Sequence, residues 1–257
     1  MCSQILFGLI TSDHASLGFE EVLVPSYVIT DVLGGGRSCS VYLGHHQDTP
    51  AEDRVIKIFK CIEDYRSEAE ALTKMMTVPG DTRVPIIHDR NEERRVLVVG
   101  PVGSPVRPVS GGRPVCGRQL ADLVQPLETA HRLGIVHRDV KLQNIFLHGN
   151  DGEERIFLND WGSSCALNSR QMFVGTYGYC DSRVPGQALV LCSAEADLRG
   201  LVRTAFAMYT GLAPPHDCEL AERFWAERFR QDSIWQRGME CAKLLRYDDL
   251  RALFMQL

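Results

Sequence analysis

The sequence predicts an α+β chain folded as two lobes, a small β-rich one followed by a larger, mostly helical one. Three observations carry that expectation. Before residue 100 the chain reads as short apolar runs of strand type around one stretch of helix formers. A Gly- and Pro-dense stretch, "GPVGSPVRPVSGGRPVCG" (100–117), then interrupts all periodicity. Beyond it apolar residues recur at helical spacing, with Leu120, Leu123, Val124, Leu127 and Ala130 on one face.

The elements follow in order. Residues 1–25 carry no strong period and are left as a leader of uncertain structure. "SYVITDVLGGG" alternates and then meets a Gly cluster, and "SVYLGHH" resumes the alternation, so 26–46 reads as a hairpin. "RVIKIFK" (54–60) is a further strand, and "EDYRSEAEALTKMM" (63–76) is a helix free of Gly and Pro. "RVPIIHD" and "RRVLVVG" are two more strands. The organisation is thus a β-rich lobe over 26–99, a linker over 100–117 and a helical lobe over 118–257. In the helical lobe Pro126 should kink its helix. "AEADLRGLVRTAFAMYTG" (194–211) and "CELAERFWAERF" (218–229) give two more helices.

Bulk properties exclude several classes. Apolar residues make up 44% and charged residues 24%, as in ordinary globular chains. A net charge of −5 points to neither nucleic acid nor an anionic membrane as partner. The nine Cys are odd in number and never spaced C-x-x-C, which reads as reduced thiols rather than disulfides or a zinc site. No signal peptide or membrane span is expected, since "ILFGLI" is too short for either. The expected location is cytoplasmic or nuclear.

Several residues carry chemistry in combination. Gly34 and Gly36 in "LGGGRSCS" would let backbone N–H groups approach phosphates, although alone they fit a plain hairpin turn. Lys57 lies inside the apolar "VIKIF". It is either an outward-facing edge residue or a buried ammonium that needs an anionic partner. Glu68 on the following helix is the first candidate and Glu70 the second. "HRDVKLQNIFL" (137–147) crowds Asp139, Lys141 and Asn144 into one short segment. Asp160 in "LNDWGSS" suits either a turn or a hard oxygen ligand for Mg2+.

Taken singly, each has an ordinary structural explanation. In this order they do not: a Gly-rich hairpin, a strand Lys, a helix Glu, H-R-D-x-K-x-x-N and D-W-G form the signature set of the protein kinases. From about residue 26 to 211 the chain resembles that superfamily, and two of its five Lys fall on family Lys positions. The fold implied is the bilobal protein-kinase-like one. "GPVGSPV", "DWGSS" and the altered A-P-E region also show a faint resemblance to kinase domains of Crinkler-type effectors and related protist kinases.

The resemblance implies ATP and Mg2+ as cofactors, and a protein substrate offering Ser or Thr hydroxyls. Lys57 would hold the α- and β-phosphates, oriented by Glu68. Asn144 and Asp160 would hold Mg2+. Asp139 would accept the hydroxyl proton and Lys141 would steady the γ-phosphate. The Lys two places after Asp139, with Gly175-Thr176, resembles the Ser/Thr-specific members. Val41, Val55 and Phe146 would enclose the adenine. Val99 would stand in the gatekeeper position, with the Gly100 carbonyl and Val102 N–H on the adenine edge. Asp197 would anchor the catalytic loop.

Departures stand beside these matches. Cys39 replaces the third glycine of the loop, which could stiffen it or make it redox-sensitive. A-P-E is missing, with Asp181-Ser182-Arg183 in its region, so the family's Glu–Arg tie to the last helices is expected to be lost. Only 60 residues follow Asp197. Ser163, Ser164 and Ser169 are the hydroxyls of the short segment that Arg138 could pair with if phosphorylated. Two alternatives stay open. One is a pseudokinase or nucleotide-gated scaffold, and the other, more remote, is a small-molecule phosphotransferase of kinase-like fold.

Overall fold

A computed structural model describes residues 26–36, 38–106, 115–150, 153–180, 189–230 and 232–257. The leader (1–25) and the altered A-P-E stretch with Arg183 lie outside the described residues.

Strands β1 (Tyr27–Gly35), β2 (Cys39–His46), β3 (Thr49–Phe59), β4 (Ile86–Asn91) and β5 (Val96–Gly100) form one antiparallel sheet in the order β1-β2-β3-β5-β4. Period-two alternation divides it into two faces. Lys57, Phe59, Leu97 and Val99 point to the main core and the site. Ile56, Val96 and Val98 close a small outer core with Tyr27. Strand β3 begins earlier than "RVIKIFK" predicts, because Thr49–Asp53 extend the ladder against β2.

Helix α1 (Ile62–Met75) buries Tyr65, Glu68, Ala69, Leu72 and Met75. Their spacing is that of one helical face, and Glu68 is the polar member on it. Cys61 accepts from the Asp64 N–H at the start, with Glu63 and Asp64 in the first turn and Lys74 in the last.

Short strand β6 (Ser104–Pro105) leads away from the sheet. The helical part then opens with α2 (Gly117–Asp122) and α3 (Val124–Arg132). The expected kink at Pro126 is a break at Leu123. Pro126 sits third in α3, where its missing N–H would have no intrahelical partner, and its ring forbids a helix continuing from Asp122. Strands β7 (Ile135–Val136), β8 (Ile145–His148), β9 (Arg155–Leu158), β10 (Cys165–Ala166), β11 (Arg170–Gln171) and β12 (Val190–Leu191) are short. They pair as β6-β8-β9, β10-β7 and β11-β12.

The long central helix is α4 (Ala194–Thr210), capped by Ser193, whose side chain accepts from the Ala196 N–H. It ends at Gly211, whose φ of 74° is the left-handed conformation glycine favours. Helices α5 (Cys218–Arg230), α6 (Ser233–Lys243) and α7 (Tyr247–Phe254) follow. Phe206 of α4 meets Trp225, Phe229 and Trp235 edge-on at 5.2–5.6 Å, which fastens α5 and α6 to α4. The sequence pattern did not disclose α6 and α7.

Candidate active site

The cleft between the sheet and the β8–β9 hairpin has a volume of about 630 Å³. Among the residues named from sequence, Gly34, Gly36, Val41, Val55, Lys57, Asp139, Lys141, Asn144, Phe146 and Asp160 line it. Glu68 stands behind Lys57. Val99, Gly100 and Val102 are not in the lining, whereas Pro101 and Gly103 are. Val99 is buried in β5, Gly100 pairs with Ile86, and the Val102 carbonyl accepts from His148 Nδ1 at 2.7 Å.

On the sheet side, Lys57 Nζ donates to Glu68 Oε1 at 2.6 Å and Oε2 at 2.7 Å. Burial opposes the ammonium, but Glu68 and Asp160 outweigh it and hold the Lys57 pKa above its ordinary value. Asp160 Oδ1 lies 3.8 Å from Nζ, and its side chain is 46% exposed toward the cleft. The loop is pinned too, since Lys60 Nζ donates to the Gly36 carbonyl at 2.7 Å. Gly34 has φ +153°, a conformation open to glycine. Cys39 needs no such freedom. It pairs with Phe59 at the start of β2, and burial pushes its thiol up to about 11, which keeps it protonated and a poor nucleophile near neutral pH.

On the helical side, three groups form a closed triangle. Lys141 Nζ donates to Asp139 Oδ2 at 2.5 Å and to Thr176 Oγ1 at 3.0 Å, and Thr176 Oγ1 donates to Asp139 Oδ1 at 2.9 Å. Asp197 shapes the loop beneath. Its Oδ2 accepts from the His137 N–H at 2.6 Å and its Oδ1 from the Arg138 N–H at 2.8 Å. His131 Nε2 also donates to Asp197 Oδ2 at 3.0 Å. Burial would raise the Asp197 carboxyl, but the hydrogen bond and charge of His131 and the His137 contacts hold it below its ordinary value. Arg138, at φ 74°, gives its guanidinium to the carbonyls of Ser163 and Met172. Ser164 donates to the Ser67 carbonyl and Ser169 to that of Ala166.

Asn159, which sequence reasoning passed over, ties these parts together. Its Oδ1 accepts from the Asp160 N–H at 2.8 Å, its carbonyl accepts from His137 Nε2 at 3.0 Å, and its N–H donates to the Asn144 carbonyl at 2.8 Å. The only sequence signal was its place just before Asp160. Trp161 is fully buried, donates to the Leu158 carbonyl at 3.1 Å and meets His137 edge-on at 4.6 Å. Asp160 thereby takes a left-handed φ of 64° that turns its carboxylate toward Lys57.

The oxygen donors suit a hard cation. Asn144 Nδ2 is committed to the Asp139 carbonyl at 2.8 Å, so Oδ1 is the amide atom that could accept a cation. Among the described residues no cluster of three or more His, Cys, Asp or Glu could hold a metal ion. One amide oxygen and one carboxylate fit Mg2+ that arrives with phosphate oxygens, not a cation caged by protein alone.

The chain belongs to the protein kinase superfamily. The family profile described as "Protein kinase domain" matches residues 113–240. The serine/threonine-protein kinase PknJ of Mycobacterium tuberculosis is 25% identical over 205 residues, which is 73% of this chain and 34% of that protein. The calcium/calmodulin-dependent protein kinase type 1 of Macrobrachium nipponense is 25% identical over 234 residues, covering 84% of this chain and 67% of that one. A 45-residue stretch is 47% identical to eukaryotic translation initiation factor 2-alpha kinase 1 of Mus musculus, covering 18% of this chain and 7% of that protein. The chain thus spans about a third of the length of its mycobacterial relative PknJ. Among the described residues no helix is long and apolar enough to cross a membrane.

Proposed function

We propose that residues 26–257 form one protein kinase domain that transfers the γ-phosphate of ATP, with Mg2+, to Ser or Thr hydroxyls of a protein. Its parts are an N-lobe (26–99), a hinge and linker (100–117) and a C-lobe (118–257). The observation that carries this reading is the Asp139–Lys141–Thr176 triangle, set in the same cleft as the Lys57–Glu68 pair.

Phosphoryl transfer asks mainly for positioning and charge neutralisation, and the side chains present supply both. Mg·ATP brings the transferable group. Val41, Val55 and Phe146 offer apolar walls to the base, while Val99, Gly100 and Val102 edge the hinge. Gly34 and Gly36 admit phosphates to the backbone. Lys57 Nζ, held by Glu68, offers a fixed positive charge to the α- and β-phosphates. Asn144 Oδ1 and the Asp160 carboxylate would hold Mg2+. Asp139 receives the acceptor hydroxyl's proton, and Lys141 balances charge at the γ-phosphate. The similarity to PknJ, which is named a serine/threonine-protein kinase, supports Ser/Thr specificity. The described cysteines are free thiols, which supports a reducing compartment, cytoplasm or nucleus.

Phosphoamino-acid analysis after incubation with γ-labelled ATP tests this reading. Label should appear on Ser and Thr but not Tyr, and should vanish when EDTA removes Mg2+. Thr176→Val should slow transfer, because the triangle loses its hydroxyl. Label on Tyr, transfer in EDTA, or a Thr176→Val rate equal to wild type would overturn it.

A further inference from the structure

Arg203 of α4 is a buried cation that the motifs leave unexplained. It is 3% exposed, between the buried Val202 and Thr204. A guanidinium in such a place needs an ionic partner and hydrogen bonds to offset lost hydration. Glu222 of α5 supplies the first, with Arg203 Nη2 donating to its Oε1 at 2.7 Å. The other arm of the fork turns to backbone. Nη1 donates to the Tyr179 carbonyl at 3.3 Å and to that of Cys180. The guanidinium also lies 5.8 Å from the ring of Trp225, whose Nε1–H donates to the Gly178 carbonyl at 2.7 Å.

Two core side chains therefore hold three consecutive carbonyls, those of Gly178, Tyr179 and Cys180. The same turn is pressed onto the chain after α4, since a Cβ at Gly178 would lie 3.0 Å from Pro214 Cγ and 3.1 Å from the Pro215 carbonyl oxygen. The turn closes on Thr176, whose carbonyl accepts the N–H groups of Tyr179 at 2.9 Å and Cys180 at 3.1 Å. Thr176 Oγ1 in turn donates to Asp139. A continuous path of hydrogen bonds runs from α4 and α5 to the carboxylate in the cleft. An ion pair serving only the core would need Glu222 alone, and it would not spend half the fork on backbone carbonyls.

We infer that Arg203, with Glu222 and Trp225, is the positioning unit that fixes Thr176 against Asp139 and so builds the acceptor side of the site. The inference rests on the kinase reading above. The unit acts through the 176–180 turn and touches neither nucleotide nor acceptor. It supplies an anchor for a chain whose sequence lacks the family's A-P-E glutamate.

Two conservative variants test it. Arg203→Lys keeps the charge but loses the planar fork, and Trp225→Phe keeps a ring but loses the indole donor. In each, kcat/KM for a protein acceptor should fall about 10- to 100-fold, while the Kd for Mg·ATP stays at the wild-type value. Hydrogen exchange at the Tyr179 and Cys180 amides should quicken in both. Equal losses in acceptor turnover and nucleotide binding would overturn the inference, as would unchanged exchange at these amides. Should wild type transfer no phosphate at all, the kinase reading fails separately, and the amide exchange alone decides whether this unit holds the turn.

Discussion

At the scale of single residues, the site depends on charges held out of water by partners of opposite sign. Lys57 and Glu68 are the extreme case, with side chains 4% and 0% exposed. Removing one member leaves the other buried and uncompensated, at a cost of about 3–5 kcal/mol. Lys57→Met should therefore lower the thermal midpoint markedly and abolish stabilisation by Mg·ATP. Lys57→Met/Glu68→Met should recover much of the lost stability but none of the nucleotide effect. A single mutant as stable as wild type would show that the pair is not buried as described. These residues were legible because each sits in a fixed spacing with a distinctive chemical requirement. Lys60, Asn159 and Arg203 were not, because each acts on backbone carbonyls or amides that no side-chain pattern reveals. The sequence offers Arg138 as a partner for a phosphorylated hydroxyl, and in the fold its guanidinium donates to the carbonyls of Ser163 and Met172.

At the scale of elements, the sheet and α1 follow their patterns closely, since alternation and helical spacing each assign a buried face. Helix α3 shows a limit of pattern reading. Its apolar positions continue those of α2 without a gap, and only the chemistry of Pro126 places the break at Leu123. Helix α6 shows another. Gly238 lowers its apparent helix propensity, yet a Cβ there would stand 3.3 Å from Val202 Cγ1, so the glycine is what lets α6 lie close on α4. Helix α4 carries Asp197, which holds the His137 and Arg138 amides, one turn after its cap, and Ser193 is that cap. Ser193→Ala should cost about 1 kcal/mol, seen as a lower urea midpoint at an unchanged slope. A midpoint equal to wild type would mean that the first turn is held by packing alone.

At the scale of the whole molecule, the cleft is assembled from distant parts of the chain. Lys57 comes from β3, Glu68 from α1, Asp139 from the loop after β7 and Asp160 from the end of β9. The sequence disclosed the membership of this set, because their order along the chain is itself diagnostic. It did not disclose what fastens the set together, namely Asn159, the Asp197–His131 contact and the carbonyl-holding Arg203, since those depend on which elements meet in space. The most direct test of the account compares wild type with Asp139→Asn for transfer from Mg·ATP to a Ser/Thr protein, with ATP binding followed by thermal shift. The account predicts that Asp139→Asn loses about 100-fold or more in transfer rate and keeps wild-type stabilisation by Mg·ATP. Equal transfer by the two proteins would contradict it.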